Sequence, residues 1–392
     1  MSGLILNGRN FSRDWIVGHF QNLDAETFSE YDKMILTFCG EWLSGVKQFK
    51  VYTSGSTGEP KPISLTREQM ILSARMTGEA LNLKSGDRTL VCLSPQYIAG
   101  LMMLVRGLVL ELELTIVEPS SDPFESFDLK KVPPFDFTAL VPLQMQAILS
   151  NPEHTVFLSK MKAVLVGGAA MAISLQKQIQ KMKAPVYQTF GMTETVSHFA
   201  LRRLSGPNAS ESYQVLRGVE IGQDERGCLT IQSALINHRT VVTNDMVELV
   251  SDKSFIWQGR VDNVINSGGV KVPAERVEAA LGQALYEMDV ELREFFVVGM
   301  ADERYHEVVV VVFTGKPLPA ATEKTLKELL AKRLKMYELP KRILYMDSVV
   351  RTRSGKIDRR ASLVKFSGSS ADLLKGDDAL INSVAKHLIG EK

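Results

Sequence analysis

Residues 53–61 read TSGSTGEPK and follow directly on the alternating run Phe49-Lys50-Val51-Tyr52. Glycine lets the backbone turn its N–H groups toward an anion, and hydroxyls and a lysine add donors, so the stretch suits a phosphate-holding loop. A Gly/Ser/Thr/Pro cluster between periodic segments is equally the composition of a plain solvated connection. It is not a Walker A loop, which needs G-x-x-x-x-G-K-[ST], because Gly58 is followed by Glu59. Ser354-Gly355-Lys356 fails the same pattern, with Ile357 next and Val350 where the first glycine belongs. Whatever holds phosphate here, the chain is not a P-loop ATPase.

Working outward, 392 residues exceed what one hydrophobic core usually supports, so two or three domains are expected. Hydrophobic residues make up 45% and charged residues 23%, the balance of a globular chain, which excludes disorder as its main theme. A formal net charge of +1 gives no general electrostatic case for nucleic acid or an anionic membrane as partner. Cys39, Cys92 and Cys228 are scattered without CxxC spacing, which fits a reducing compartment and neither a disulfide framework nor a zinc site. The apolar run near the N-terminus is too short for a signal peptide, and no stretch approaches the ~20 apolar residues of a membrane span. The expectation is a soluble cytoplasmic protein without membrane insertion.

From about residue 48 to 190, short β-rich runs (50–52, 89–93, 114–117, 137–141, 163–166, 186–189) alternate with helical stretches (67–81, 98–110, 143–149, 173–181). That alternation predicts an α/β fold with a mostly parallel sheet. Past residue 205, Gly-punctuated short strands predict an appended antiparallel subdomain. Past Gly259, helices over 274–285 and 322–336 interleave with strands 295–298, 308–313 and 342–346, a small separate α+β C-terminal domain. The expected division is a large N-terminal domain 1–260, a second domain 261–365, which the resemblance described below makes a mobile lid, and a linker with a C-terminal helix in 366–392. No solenoid repeat is present.

Five further segments bear on TSGSTGEPK. YQTFGMTET, residues 187–195, is an aromatic-Gly turn after a strand, where Glu194 beside a phosphate loop would be a natural Mg²⁺ ligand; a helix N-terminus capped by Thr193 explains it as well. Thr243-Asn244-Asp245 sets a carboxylate where vicinal sugar hydroxyls could donate, or is merely a turn. Gly259-Arg260-Val261-Asp262-Asn263, followed by Ser267-Gly268-Gly269, is a charged linker or a hinge with an arginine facing phosphate. Arg351–Ile357 (RTRSGKI) is a basic turn or a surface loop. Gly167-Gly168-Ala169-Ala170 allows close approach to a planar ligand, or simply helix-on-strand packing.

In their order across some 300 residues, these six segments together resemble the acyl-adenylating superfamily of acyl-CoA synthetases, adenylation domains and luciferases. The resemblance covers about residues 48–362. It implies that Thr53, Ser54, Gly55, Ser56, Thr57, Gly58 and Lys61 hold the β- and γ-phosphates of ATP, that Glu194 binds magnesium, and that Thr193 meets the α-phosphate. Phe190, with Gly191 and Met192 beside it, would pack on adenine, Gly168 and Ala169 would line its other side, Asp245 would bind the ribose and Arg260 would assist. Lys356 would stabilise charge between the acid and the α-phosphate. Rotation of the small domain about Asp262 would then turn Ser267, Gly268 and Gly269 toward the thiol of coenzyme A.

Two departures from the family pattern concern the acid. Only 52 residues precede the phosphate loop, which implies that part of the usual large domain is missing or condensed. The Pro-x-x-His-type segment reads SPQYIAG over residues 94–100, without histidine. A compact form with GMTET followed by Ser-His resembles the o-succinylbenzoate–CoA ligases, whose small-molecule substrate carries two carboxylates. The unreacted carboxylate needs a cationic or hydrogen-bonding partner. His198 and Arg202, four and eight residues beyond Glu194, would share a face with it on a helix, and Tyr97 is a candidate pocket wall. A satisfied structural histidine and a solvated arginine explain those two equally. Another aryl or short-chain acid, a carrier protein as acceptor, a non-catalytic nucleotide-binding protein and a homodimeric assembly all stay open.

Overall fold

The computed structural model describes residues 3–52, 61–290, 293–352 and 357–369. The strongest sequence signal, β-rich runs alternating with helices, produces the parallel half of a 13-stranded sheet. Its parallel strands lie in the spatial order Gly3–Leu6, Glu113–Ile116, Arg88–Val91, Phe137–Leu140, Ala163–Val166 and Val186–Met192. Arg9–Ser12 pairs antiparallel on the outer edge.

The strands in the middle are buried along their whole length, Phe137–Leu140 and Ala163–Val166 at every residue, because both faces are covered. Phe137, Ala139, Ala163 and Leu165 join one core, with helices Arg67–Leu81 and Ile98–Leu110 packed on that side. Leu140, Val164 and Val166 point the other way, into a second core under helices Pro142–Ser150, Pro152–Leu158 and Ile173–Gln180. Helix Arg67–Leu81 begins at a reciprocal cap between Thr66 and Gln69 and ends at Asn82 in the left-handed conformation, so its length is set by local chemistry at both ends.

The antiparallel strands do not form a sheet of their own. Ser197–Arg203 pairs with Val186–Met192, and Tyr213–Val215, Ser254–Arg260, Thr240–Ser251, Cys228–Ser233 and Val219–Gln223 extend the same sheet outward. The strand before TSGSTGEPK also departs from expectation. Gln48–Tyr52 stands outside the large sheet and pairs antiparallel with Pro62–Thr66, in a register that sets Tyr52 against Pro62.

A second, five-stranded sheet starts at Val264. Strand His306–Thr314 is apolar on both faces: Val309, Val311 and Phe313 meet helices Ala274–Glu287 and Ala320–Ala331, while Val308, Val310 and Val312 meet Leu363 and Phe366 of helix Arg359–Ser369. The amphipathic helix expected to reach Met336 stops at Ala331, and a 3₁₀ turn, Met336–Glu338, leads to strand Arg342–Met346. The expected C-terminal helix near 379–388 lies outside the described residues. Among those described, no helix is long and apolar enough to cross a membrane, and Cys39, Cys92 and Cys228 are free and buried.

Candidate active site

Ligands of open α/β sheets bind beyond the carboxyl ends of parallel strands. Two of the sequence-selected segments occupy such ends here. Gly167, Gly168 and Ala169 follow strand Ala163–Val166, and Phe190, Gly191 and Met192 finish its neighbour Val186–Met192, ahead of the 3₁₀ turn Thr193–Thr195. Gly168, Ala169 and Gly191 are exposed, so backbone faces the solvent at this edge. Gly191 is required by a close approach: a Cβ there would stand 2.2 Å from the Ser197 carbonyl oxygen.

The turn is held from behind. Met192 donates its backbone N–H to Thr195 Oγ1 at 3.0 Å, and that hydroxyl is also 2.8 Å from the Ser197 carbonyl oxygen. Val196 and Ser197 both take positive φ, 55° and 86°, which costs of order 1–3 kcal/mol at a non-glycine residue. Ser73 fixes the first of them by donating to the Val196 carbonyl at 2.8 Å. Thr193 is buried, while Glu194 is exposed and has no ion-pair partner among the described residues. Phe190 keeps its ring against Phe199, Tyr213 and Phe255, with centroids 5.1–5.8 Å away.

The expected helix after Glu194 is absent. Ser197–Arg203 is a strand, and a bulge between His198 and Ala200 turns its alternation over. His198 therefore points to one face, where Thr77 and Arg106 meet it; Arg202 points to the other, where its Nη2 bonds Gln188 Oε1 at 2.6 Å and Gln176 Oε1 at 3.3 Å. The two do not act on one group. Tyr97 precedes helix Ile98–Leu110, makes no side-chain capping hydrogen bond to it and is 50% exposed.

On the antiparallel side, Asp245 and Arg260 face each other across paired strands. Trp257 Nε1 donates to Asp245 Oδ1 at 3.0 Å, Arg260 Nη1 stands 3.9 Å from the same oxygen, and Arg260 Nη2 bonds Asp262 Oδ2 at 2.6 Å. Glu275 reaches back to this segment, accepting from the Arg260 backbone N–H and from Asn263 Nδ2, and also pairs with Arg359 at 3.5 Å. Arg359 grips both oxygens of Glu278 at 2.8 and 2.9 Å. Burial pushes the Glu278 carboxyl upward and the Arg359 charge draws it back.

Ser267 is 3% exposed, so its hydroxyl is inside the hairpin Val264–Ser267/Val270–Pro273. Gly268 and Gly269, at φ +61° and +84°, form a two-residue turn of the kind that demands positive φ twice. Thr53–Gly58 and Lys356 lie outside the described residues. Lys61 is exposed at the start of strand Pro62–Thr66. Sequence reasoning passed over Trp257, Glu275 and Arg106; the last carried a legible signal, being the one charged residue in the helix IAGLMMLVRGLVL.

A parallel sheet whose strand ends carry a Gly-rich edge and a Thr-Glu turn, continued by strands that pair Asp245 with Arg260, describes a class of nucleotide-using α/β proteins with a second small domain. Residues 49–221 match the AMP-binding enzyme family and residues 283–356 match the AMP-binding enzyme C-terminal domain. The chain belongs to this family. A solved acyl-CoA synthetase (AMP-forming)/AMP-acid ligase II-like protein from Dyadobacter fermentans is 43% identical, over 87% of this chain and 97% of that one, with a TM-score of 0.58. The indoleacetate–CoA ligase of Aromatoleum aromaticum is 26% identical over 78% of this chain, which spans 64% of that relative's length. The probable 2-succinylbenzoate–CoA ligase of Mycobacterium tuberculosis is 28% identical, over 84% of this chain and 88% of the relative.

Proposed function

We propose that the chain is a cytoplasmic, AMP-forming acid–CoA ligase whose substrate is a dicarboxylic aromatic acid of the o-succinylbenzoate kind. The observation that carries this reading is the gathering of the Gly168 edge and the Thr193–Glu194 turn at adjacent parallel strand ends. The Asp245/Arg260 pair on the antiparallel extension adds a matching pair of polar groups. The family match supports adenylation, and the relatives named for 2-succinylbenzoate and indoleacetate support an aromatic acid.

A carboxylate is a poor electrophile. Attack on the α-phosphate of ATP forms an acyl-adenylate and releases pyrophosphate; the thiol of coenzyme A then displaces AMP. Such chemistry needs positioning and charge neutralisation more than covalent help. In this reading Thr193 meets the α-phosphate. Glu194 offers an exposed carboxylate, without an ion-pair partner among the described residues, to Mg²⁺, an ion that takes few protein oxygens and fills its shell with phosphate and water. Bound magnesium would neutralise phosphate charge. Asp245 accepts from the ribose hydroxyls, Oδ1 being already oriented by Trp257. Residues 53–61 and Lys356 are assigned to the phosphates and the reacting carboxylate on the family pattern, and Asp262 to the pivot that turns Ser267–Gly269 toward the thiol.

Acid-dependent ATP–pyrophosphate exchange tests the reading, with CoA-dependent AMP release as its second half. The wild-type chain should exchange with o-succinylbenzoate, and Lys356→Ala should lower the rate by about 10²-fold or more. Exchange with no acid in a panel of aryl, short-chain and fatty acids would leave a nucleotide-binding protein instead. AMP release that requires a carrier protein rather than CoA would change the acceptor.

A further inference from the structure

Arg106 is 1% exposed, in the middle of an otherwise apolar helix turned toward the larger core. Its five donors are poorly used. Nη2 stands 3.4 Å from both Ser197 Oγ and His198 Nδ1, at the outer limit of a hydrogen bond; Nη1 faces only Met103 Sδ at 3.7 Å; Nε has no partner. No carboxylate among the described residues pairs with it. Other deeply set ionic groups are compensated: Asp122 with His154 at 2.7 Å, Glu338 with Arg276 at 2.7 Å, Glu278 with Arg359. An uncompensated buried cation costs several kcal/mol, a cost that an incoming anion would offset.

The neighbouring histidine cannot share that charge. Thr77 Oγ1 donates to the Ser73 carbonyl at 3.0 Å and so accepts from His198 Nε2–H at 3.1 Å, which leaves Nδ1 as the acceptor facing Arg106. Burial and the adjacent guanidinium hold His198 well below its usual range, hence neutral. Burial also brings the guanidinium down to about 9, still a cation near neutral pH.

Arg106 touches Ser197 and His198, and His198 opposes Gly191 across the hairpin, so the guanidinium lies directly behind the Thr193–Glu194 turn. We infer that Arg106 is the specificity residue of the acid pocket, its guanidinium fork receiving the second, unreacted carboxylate of a dicarboxylic substrate whose first carboxylate reacts at that turn. The flexible Met103 thioether is the group the acid displaces, and His198, with Thr77 behind it, remains a neutral wall. This rests on the ligase reading above.

A matched pair of acids tests it: o-succinylbenzoate, and 4-oxo-4-phenylbutyrate, which lacks only the ring carboxylate. The wild-type chain should exchange pyrophosphate with the first at a KM about tenfold to hundredfold lower than with the second. Arg106→Met should erase that difference by raising KM for o-succinylbenzoate by a larger factor than KM for the monoacid; Arg106→Lys should retain part of it. A wild-type chain that treats the two acids alike overturns the inference without any variant. So does an active Arg106→Met chain that keeps the preference, or one that loses both acids equally while folded by its melting temperature. Absence of exchange with every acid overturns the ligase reading itself.

Discussion

Asn244 donates its side-chain amide to both carboxylate oxygens of Asp262, at 3.2 and 3.3 Å. Asn244 stands between Thr243 and Asp245, in the segment whose carboxylate is assigned to the sugar. It ties the strand bearing Asp245 to the proposed pivot between the two sheets. Two long bonds at an exposed site contribute about 0.5–1.5 kcal/mol. Asn244→Gly should therefore raise the rate of tryptic cleavage after Arg260 by about two- to tenfold, as read by limited proteolysis. An unchanged rate would leave the segment held by the Arg260–Asp262 pair and by Glu275.

Arg359 offsets part of the cost of burying the Glu278 carboxyl beneath the small sheet, where that group also accepts from the Val297 backbone N–H at 2.8 Å. Removing the partner strands that group. Arg359→Ala should lower unfolding stability by about 2 kcal/mol, measured by urea titration, and Glu278→Gln combined with it should restore part of the loss.

His198 sets a pH dependence whose sign is fixed by its burial. The folded chain holds it well below the unfolded value of 6.5, so beneath pH 6.5 the unfolded chain binds the extra proton. Its stabilising contribution is complete above pH 6.5 and falls as pH drops toward the folded value, by about 1.4 kcal/mol per pH unit. His198→Gln should be flatter than wild type between pH 6.5 and 5.5 in urea unfolding. Parallel curves would mean that the imidazole gains its proton without unfolding.

Asp245→Asn keeps the acceptor for Trp257 and removes the charge facing Arg260. If Asp245 receives the ribose, KM for ATP should rise about tenfold while the midpoint of thermal unfolding moves little. A shift in KM for the acid instead would place this pair at the wrong substrate.

What the sequence made legible follows from which forces are local. Strands such as Phe137–Leu140 and Ala163–Val166 are apolar on both faces and bracketed by turns, so composition alone marks them as central and parallel. The strand Ser197–Arg203 was misread because Glu194, His198 and Arg202 fall at the four-residue spacing of one helix face; its conformation is decided by pairing with Val186–Met192 and by left-handed Val196 and Ser197, which no local propensity announces. Thr193, Glu194, Asp245 and Arg260 were visible because they sit in short ordered motifs. Arg106 was passed over although it is a lone charge in an apolar helix, and its contact with His198 joins positions 92 apart in sequence. Glu275 reaches Arg260 only because the second sheet folds back on the first. The residues 53–58 and 356, which the resemblance weighted most, lie outside what the structure describes.

The indole of Trp257 has a consequence for observation. The chain contains three tryptophans, and Trp15 and Trp42 belong to the N-terminal helices, whereas Trp257 is bonded to the carboxylate assigned to the sugar. A nucleotide competing for Asp245 Oδ1 would change the polarity and hydrogen bonding felt by one chromophore and leave the other two as an internal standard. The protein thus carries its own fluorescence gauge of nucleotide occupancy, and a Trp257→Phe chain supplies the blank.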